Sequence, residues 1–91
     1  MLLIAWSKGA LRDLEDITTY IAVDNEAAAE QLRERIEESV LPAAAHPYLF
    51  RPGRRNGTRE VVAHPNYIVV YRVLADRIRV IAVIHTRRRY P

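Results

Sequence analysis

Apolar side chains recur along this chain with two different periods. Residues 2–6 form a short apolar run ending at Ser7, which reads as a first strand followed by a helix N-cap ahead of Lys8-Gly9-Ala10. From there Leu11, Leu14, Ile17, Thr18 and Ile21 fall at helical spacing, with Arg12, Asp13, Glu15 and Asp16 at the outer positions. That spacing predicts an amphipathic helix of about four turns. Asp24-Asn25 breaks the pattern and offers a second cap. Beyond it Ala28, Leu32, Ile36 and Val40 recur every four residues among Glu30, Arg33, Glu34, Glu37 and Glu38, predicting a second helix antiparallel to the first. Pro42 must kink or end that helix, and Pro47 stops any continuation.

The texture then changes. Residues 48–57, "YLFRPGRRNG", combine proline, two glycines and three arginines and read as an exposed loop, with Asn56-Gly57 as a tight turn. Three strand-like runs follow, 58–63, 67–74 and 77–85, separated by His64-Pro65-Asn66 and Ala75-Asp76, both suited to hairpins. In the middle run Tyr67, Val69, Tyr71 and Val73 share one face, and Ile68, Val70, Arg72 and Leu74 the other. Both faces are mostly apolar, yet a helical hairpin can cover only one, so a partner is expected on the second. There is no internal repeat and no low-complexity segment.

Composition narrows this further. A chain of 91 residues has room for one hydrophobic core, so a single domain spanning 1–91 is expected. Hydrophobic residues at 49% and charged residues at 27% exclude a disordered chain, and the absence of cysteine excludes a disulfide framework or thiolate site. The apolar start has no basic leader, and no apolar run approaches the ~18 residues of a membrane span, so the chain reads as cytoplasmic with no membrane partner. Asn56-Gly57-Thr58 matches a glycosylation pattern but is better read as the turn. No carboxylate cluster accompanies the histidines, so no metal is expected, and no cofactor.

The net charge of +3 conceals an asymmetry. Residues 1–50 carry four basic and nine acidic side chains, whereas 51–91 carry ten arginines against Glu60 and Asp76. Lys8 is the only lysine, so the positive charge is almost wholly guanidinium, suited to bidentate contact with carboxylate or phosphate. An anionic partner for the C-terminal half follows.

The order strand, helix, helix, loop and three-stranded meander, with arginines concentrated on the meander, resembles the RelE/ParE superfamily of bacterial toxins, most of all its ParE branch of plasmid-stabilisation proteins. The residues carrying the resemblance are "DLEDITTYIA" (13–22), "HPYLFRPGR" (46–54), "GTREVVAHPNYIVVYRV" (57–73) and "VIAVIHTRRRYP" (80–91). The resemblance implies an α+β fold in which an N-terminal strand, an α-helical hairpin and a three-stranded antiparallel meander form one sheet packed on the helices. It implies the toxin of a type II toxin-antitoxin system, neutralised by a cognate antitoxin whose flexible segment docks on the helices and sheet. It also implies one of two targets: DNA gyrase for ParE-like members, or the ribosome with mRNA for RelE-like members.

Whether the chain is an enzyme turns on these targets. RelE-like cleavage of a message needs a base for the 2′-hydroxyl, cations for the developing charge and a donor to the leaving oxygen. Toxins of that branch supply them from a basic strand, an arginine in the following strand, and a C-terminal Arg or His before Tyr. By that resemblance Arg59, His85, Arg87, Arg89 and Tyr90 are the catalytic candidates. The departure is at "PNYIVVYRV", where the aligned residue is Ile68 rather than arginine, and "TREVVA" holds one cation rather than several. That departure favours gyrase over a ribosome-dependent endoribonuclease. A basic nucleic-acid-binding module is the third reading.

Arg54, Arg55, Arg59, Arg72, Arg87, Arg88 and Arg89 are the candidates for contact with target or antitoxin. His85 reads either as a base whose pKa is depressed by neighbouring cations or as the cap of a strand end. His46 and His64 precede prolines and read as turn residues, Tyr67 and Tyr71 as sheet packing, Trp6 as core, and Arg59-Glu60 as an internal ion pair. The apolar side of the helices and the outer sheet face are the expected antitoxin surface.

Overall fold

Ser7 fixes where the first helix begins. In the computed structural model, which describes residues 1–87, strand β1 (Leu3–Trp6) runs into Ser7, whose hydroxyl accepts the Ala10 N–H at 3.1 Å and opens helix α1 (Lys8–Ala22). The buried stripe of α1 is Ala10, Leu14 and Thr18, flanked by Ile17 and Ile21. Leu11, expected on this face, lies about 100° round from Ala10 and is 50% exposed.

A three-residue connection leads to helix α2 (Glu26–Ser39), capped by Asn25, whose Oδ1 accepts the Ala28 N–H at 3.0 Å. So short a link leaves the helices antiparallel neighbours. Ala29, Leu32 and Ile36, then Val40 beyond the helix end, continue the core from α2. Between the helices the Thr18 hydroxyl donates to the Leu14 carbonyl at 3.0 Å and accepts from Arg33 Nη2 at 2.9 Å. The same guanidinium meets Glu15 at 2.9 Å, a largely exposed pair that adds little stability but shares the hairpin's register. Helix α2 stops at Ser39, and Pro42 sits in a 3-10 turn, Leu41–Ala44, where its missing N–H leaves no helical bond unmade.

The remaining strands are β2 (Arg51–Pro52), β3 (Thr58–His64), β4 (Tyr67–Val73) and β5 (Arg77–His85). The sheet order is β1-β5-β4-β3-β2, with β1 parallel to β5 and the other pairs antiparallel. The expected α+β architecture is present, with one correction. Arg51–Pro52, read as loop, pairs with Glu60 and Arg59 and makes the sheet five-stranded. Such a short strand with proline suits an edge.

Both helices lie against one face. Leu14, Ile36, Val40, Val69, Tyr71, Ile78, Val80 and Val83 are fully buried there, and Trp6 and Tyr67 pack at the margin. The apolar side of the helices, expected to meet an antitoxin, is therefore core; a helix stripe facing the sheet is unavailable to a partner. Tyr71 anchors this layer: its hydroxyl donates to the Pro47 carbonyl at 2.6 Å and its ring meets Phe50 edge-on at 6.4 Å. Burial raises its pKa, and Arg59 opposes the rise. No helix among the described residues is long and apolar enough to cross a membrane.

Strand β5 is longer than its neighbour β1, which pairs only with Arg77 to Val80. Ser7 N–H closes on the Val80 carbonyl at 2.9 Å as the chain leaves for α1. Further along, the N–H of Val83 is received by Asp13 Oδ2 at 3.0 Å, so an acidic residue of α1 takes a donor from the strand that β1 leaves uncovered. At the β3–β4 turn, His64 Nδ1 accepts the Asn66 N–H at 3.0 Å and its ring lies 5.7 Å from Tyr67. Burial, with Arg35 second, lowers the His64 pKa below 6.5.

Two outcomes follow. Asp13→Ala leaves the Val83 N–H without its acceptor and should cost about 1–3 kcal/mol in urea unfolding, with Asp13→Asn losing less because its carbonyl can still accept. Equal stability of all three proteins would contradict the role given to Asp13. For His64, the unfolded chain binds the proton more readily than the folded one. Its contribution to stability is then complete above the unfolded pKa near 6.5 and is lost as pH falls towards the lower folded value. An NMR titration should give a folded midpoint below that of the same histidine in urea; an equal or higher midpoint refutes this.

Candidate functional site

The face of the sheet turned away from the helices carries Arg51, Arg72, Arg77 and Arg79. Register puts Thr58 opposite Arg72 and Arg72 opposite Arg79, with Ala5 beyond, in one row across four strands. The row on one side contains Glu60, Val70 and Ala82, and on the other Arg77 opposite Leu3, with Leu74 closing on Arg77 through an N–H···O bond of 2.8 Å. Farther along, Ile68, Val70 and Ile84 form a small apolar cluster of their own, bordered by Ile81 and Ala82. Val62, opposite Ile68, is 56% exposed.

Turn chemistry aims Arg72. Its Nη1 donates to the Asn56 carbonyl at 3.2 Å, and a Cβ on Gly57 would stand 2.9 Å from that nitrogen. Gly57 has φ 80°, a left-handed value that glycine adopts freely, so the expected Asn56-Gly57 turn is present and needs its glycine. Arg77 is engaged differently, by a bidentate bond to Asp76 with both contacts at 3.0 Å. Chiefly through that hydrogen bond, Arg77 holds the Asp76 carboxyl below the usual carboxylate range.

Arg59 is committed to structure. Its Nη1 donates to the Phe50 carbonyl at 2.7 Å and to that of Tyr48 at 3.3 Å, and its guanidinium lies 4.8 Å from the Tyr48 ring centre. The expected Arg59-Glu60 ion pair is absent, because adjacent strand residues point to opposite faces. Glu60, 5% exposed, instead accepts from Arg51, its cross-strand neighbour, at 3.2 Å.

Among the described residues, His85 is grouped with carboxylates and tyrosines. It borders a cleft of about 360 Å³ between α1 and the sheet, together with Asp13, Asp16, Ile17, Tyr20, Tyr67 and Val83. Its ring meets Tyr67 edge-on at 5.3 Å, and Nδ1 accepts the Arg87 N–H at 3.1 Å, the strand-end cap that was the alternative reading. Arg54, Arg55 and Arg87 are exposed, and the Arg55 carbonyl receives both the N–H and the hydroxyl of Thr58. Arg88, Arg89 and Tyr90 lie outside the described residues. Among the described residues no three histidine, aspartate or glutamate side chains gather as a metal site.

Sequence reasoning missed Arg79, which sits inside an apolar run, and Asp13, which reads as an ordinary outer position. The signal for Arg79 was the turn: two residues at Ala75-Asp76 put Leu74 opposite Arg77, and therefore Arg72 opposite Arg79. Nothing in helical spacing announces the reach of Asp13 to Val83.

Comparison with known proteins agrees with this architecture. Residues 4–90 match the family described as "ParE toxin of type II toxin-antitoxin system, parDE". A relative named "Putative toxin Y4kP" from Sinorhizobium fredii is 38% identical over 89 residues, 97% of this chain and 92% of that protein. Among solved structures, the chromosomal ParDE system of P. aeruginosa superposes with TM-score 0.81 at 22% identity, covering 93% of this chain and 96% of the other. A YoeB/ParE toxin from Agrobacterium tumefaciens gives 0.67 at 17%, covering 92% and 98%. At those identities the structures speak for the fold alone. The family match over nearly the whole length, and the relative that shares more than a third of its residues, assign this chain to the ParE toxin family of type II toxin-antitoxin systems.

Proposed function

We propose that this toxin arrests growth in the cytoplasm by binding DNA gyrase, without a reacting site of its own. As a type II toxin it has an antitoxin for a partner, and in this reading the antitoxin relieves the arrest by covering the outer face of the sheet.

The observation that carries the reading is the separation of Arg59 from His85, two of the described catalytic candidates. His85 lies opposite Tyr67 and Arg59 opposite Tyr71, two strands apart and four positions along. At strand spacings that is a backbone separation of roughly 16 Å. Arg59 is held by two loop carbonyls, and His85 borders a cleft with two aspartates. A phosphate held by Arg59 would lie far from His85, the candidate base. Ile68, where RelE-like toxins have arginine, is 5% exposed in an apolar cluster. A guanidinium there would have to displace that packing.

The test is ATP-dependent supercoiling by purified gyrase with the toxin titrated in. Supercoiling should fall with toxin concentration, and His85→Ala should inhibit within about threefold of the parent, since a strand-end cap contributes only modestly. Undiminished supercoiling at saturating toxin would refute the gyrase target. Inhibition lost only in His85→Ala, with its fold intact, would return His85 to the working surface.

A further inference from the structure

Arginines elsewhere on the outer face have carboxylate partners: Arg77 has Asp76, and Arg51 has Glu60. The central pair does not. Arg72 and Arg79 face each other directly across β4 and β5, where like charges oppose folding. Among the described residues the Arg79 side chain makes no hydrogen bond or ion pair, and the Arg72 side chain bonds only a neutral carbonyl, that of Asn56. Arg79 is exposed, with the small Ala5 as its other neighbour. A glutamine at either position would relieve the repulsion without disturbing the core, so the pair is a cost that the fold by itself does not require.

We propose that Arg72 and Arg79 form a two-guanidinium seat for a carboxylate of an acidic, amphipathic segment of the antitoxin laid across the outer face. This rests on the toxin reading above and names the chemistry of its partner's contact. Two guanidiniums on adjacent strands can grip one carboxylate from both sides, and Arg72 is already oriented by Asn56 and Gly57.

The surroundings decide between a peptide and a nucleic acid. The seat is bordered by Val70 and Ala82 on one side and by Leu3, 74% exposed, and Leu74, 38% exposed, on the other. Leu3 and Leu74 can receive the apolar side chains of a peptide whose acidic residues meet the arginines. Trp6, Tyr67 and Tyr71 all belong to the inner cluster, so among the described residues these strands turn no aromatic ring outward for base stacking. Guanidinium flanked by aliphatic side chains is chemistry for carboxylate-bearing protein rather than for single-stranded nucleic acid.

The test uses the full chain and three labelled probes followed by fluorescence anisotropy: a short peptide of alternating glutamate and leucine, its glutamine counterpart, and an oligouridylate. The glutamate peptide should bind most tightly and weaken with added salt. Arg79→Gln should reduce its affinity about tenfold while leaving the melting temperature unchanged or raised. Arg77→Gln, which removes a residue already paired with Asp76, should change affinity less than about twofold. Equal binding by Arg79→Gln, a lowered melting temperature in that variant, or tighter Arg79-dependent binding of oligouridylate would each overturn the proposal. Growth arrest on expression is scored separately. An arresting toxin whose Arg79→Gln variant binds the peptide normally loses only the seat, whereas a chain that binds the peptide but never arrests growth loses only the toxin reading.

Discussion

Two helices can cover only one face of a five-stranded sheet, and most features of this protein follow from that one-sided burial. On the covered face Tyr71, Leu14, Ile36, Val69, Val80 and Val83 close a packed layer. On the other, β3, β4 and β5 display alternate residues of the same strands, and the chain provides no second helical layer for them. Those residues are graded along the face, with Ile68, Val70 and Ile84 packed into a buried cluster at one end and Arg72, Arg79 and Arg77 towards the other. A face that exposes apolar Leu3, Val62 and Leu74 beside its arginines suits a partner that is apolar and acidic, and in the proposed reading that partner is the antitoxin.

The same division separates Arg59 from Arg72, two of the candidates for contact with target or antitoxin. Strand parity sends Arg59, with His85, towards the helix side and Arg72 towards the opposite one. The histidine contributes by capping a strand end and packing against Tyr67, and Arg59 by clasping the segment that also accepts the Tyr71 hydroxyl. The described arginines of β3, β4 and β5 are directed at loop carbonyls, a carboxylate and the open face, which supports the proposed binding role.

Much of the fold was legible from local rules. Ser7 and Asn25 read as caps because short polar side chains before apolar periodicity have few other uses, and both accept the N–H expected of them. The hairpin turns were equally plain, and the turn at Ala75-Asp76 even contained the pairing of Arg72 with Arg79. What could not be read depends on long-range geometry. The register shift between Val70 and Tyr71, opposite Ala82 and Val80, leaves Ile81 as an extra residue that no periodicity marks. Arg51–Pro52 became a strand only because β3 offered it an edge, and Glu60 took Arg51 rather than Arg59 because sheet parity outranks sequence adjacency.

The central claim is that this toxin acts by occupying a partner and not by cutting a message. The most direct measurement maps the 5′ ends of messages in cells after induced expression, without its antitoxin and at the onset of growth arrest. Arrest with message ends indistinguishable from those of uninduced cells is the expected result. New ends in register with codons, abolished by His85→Ala, would contradict the account and make the dispersed residues a catalytic set after all.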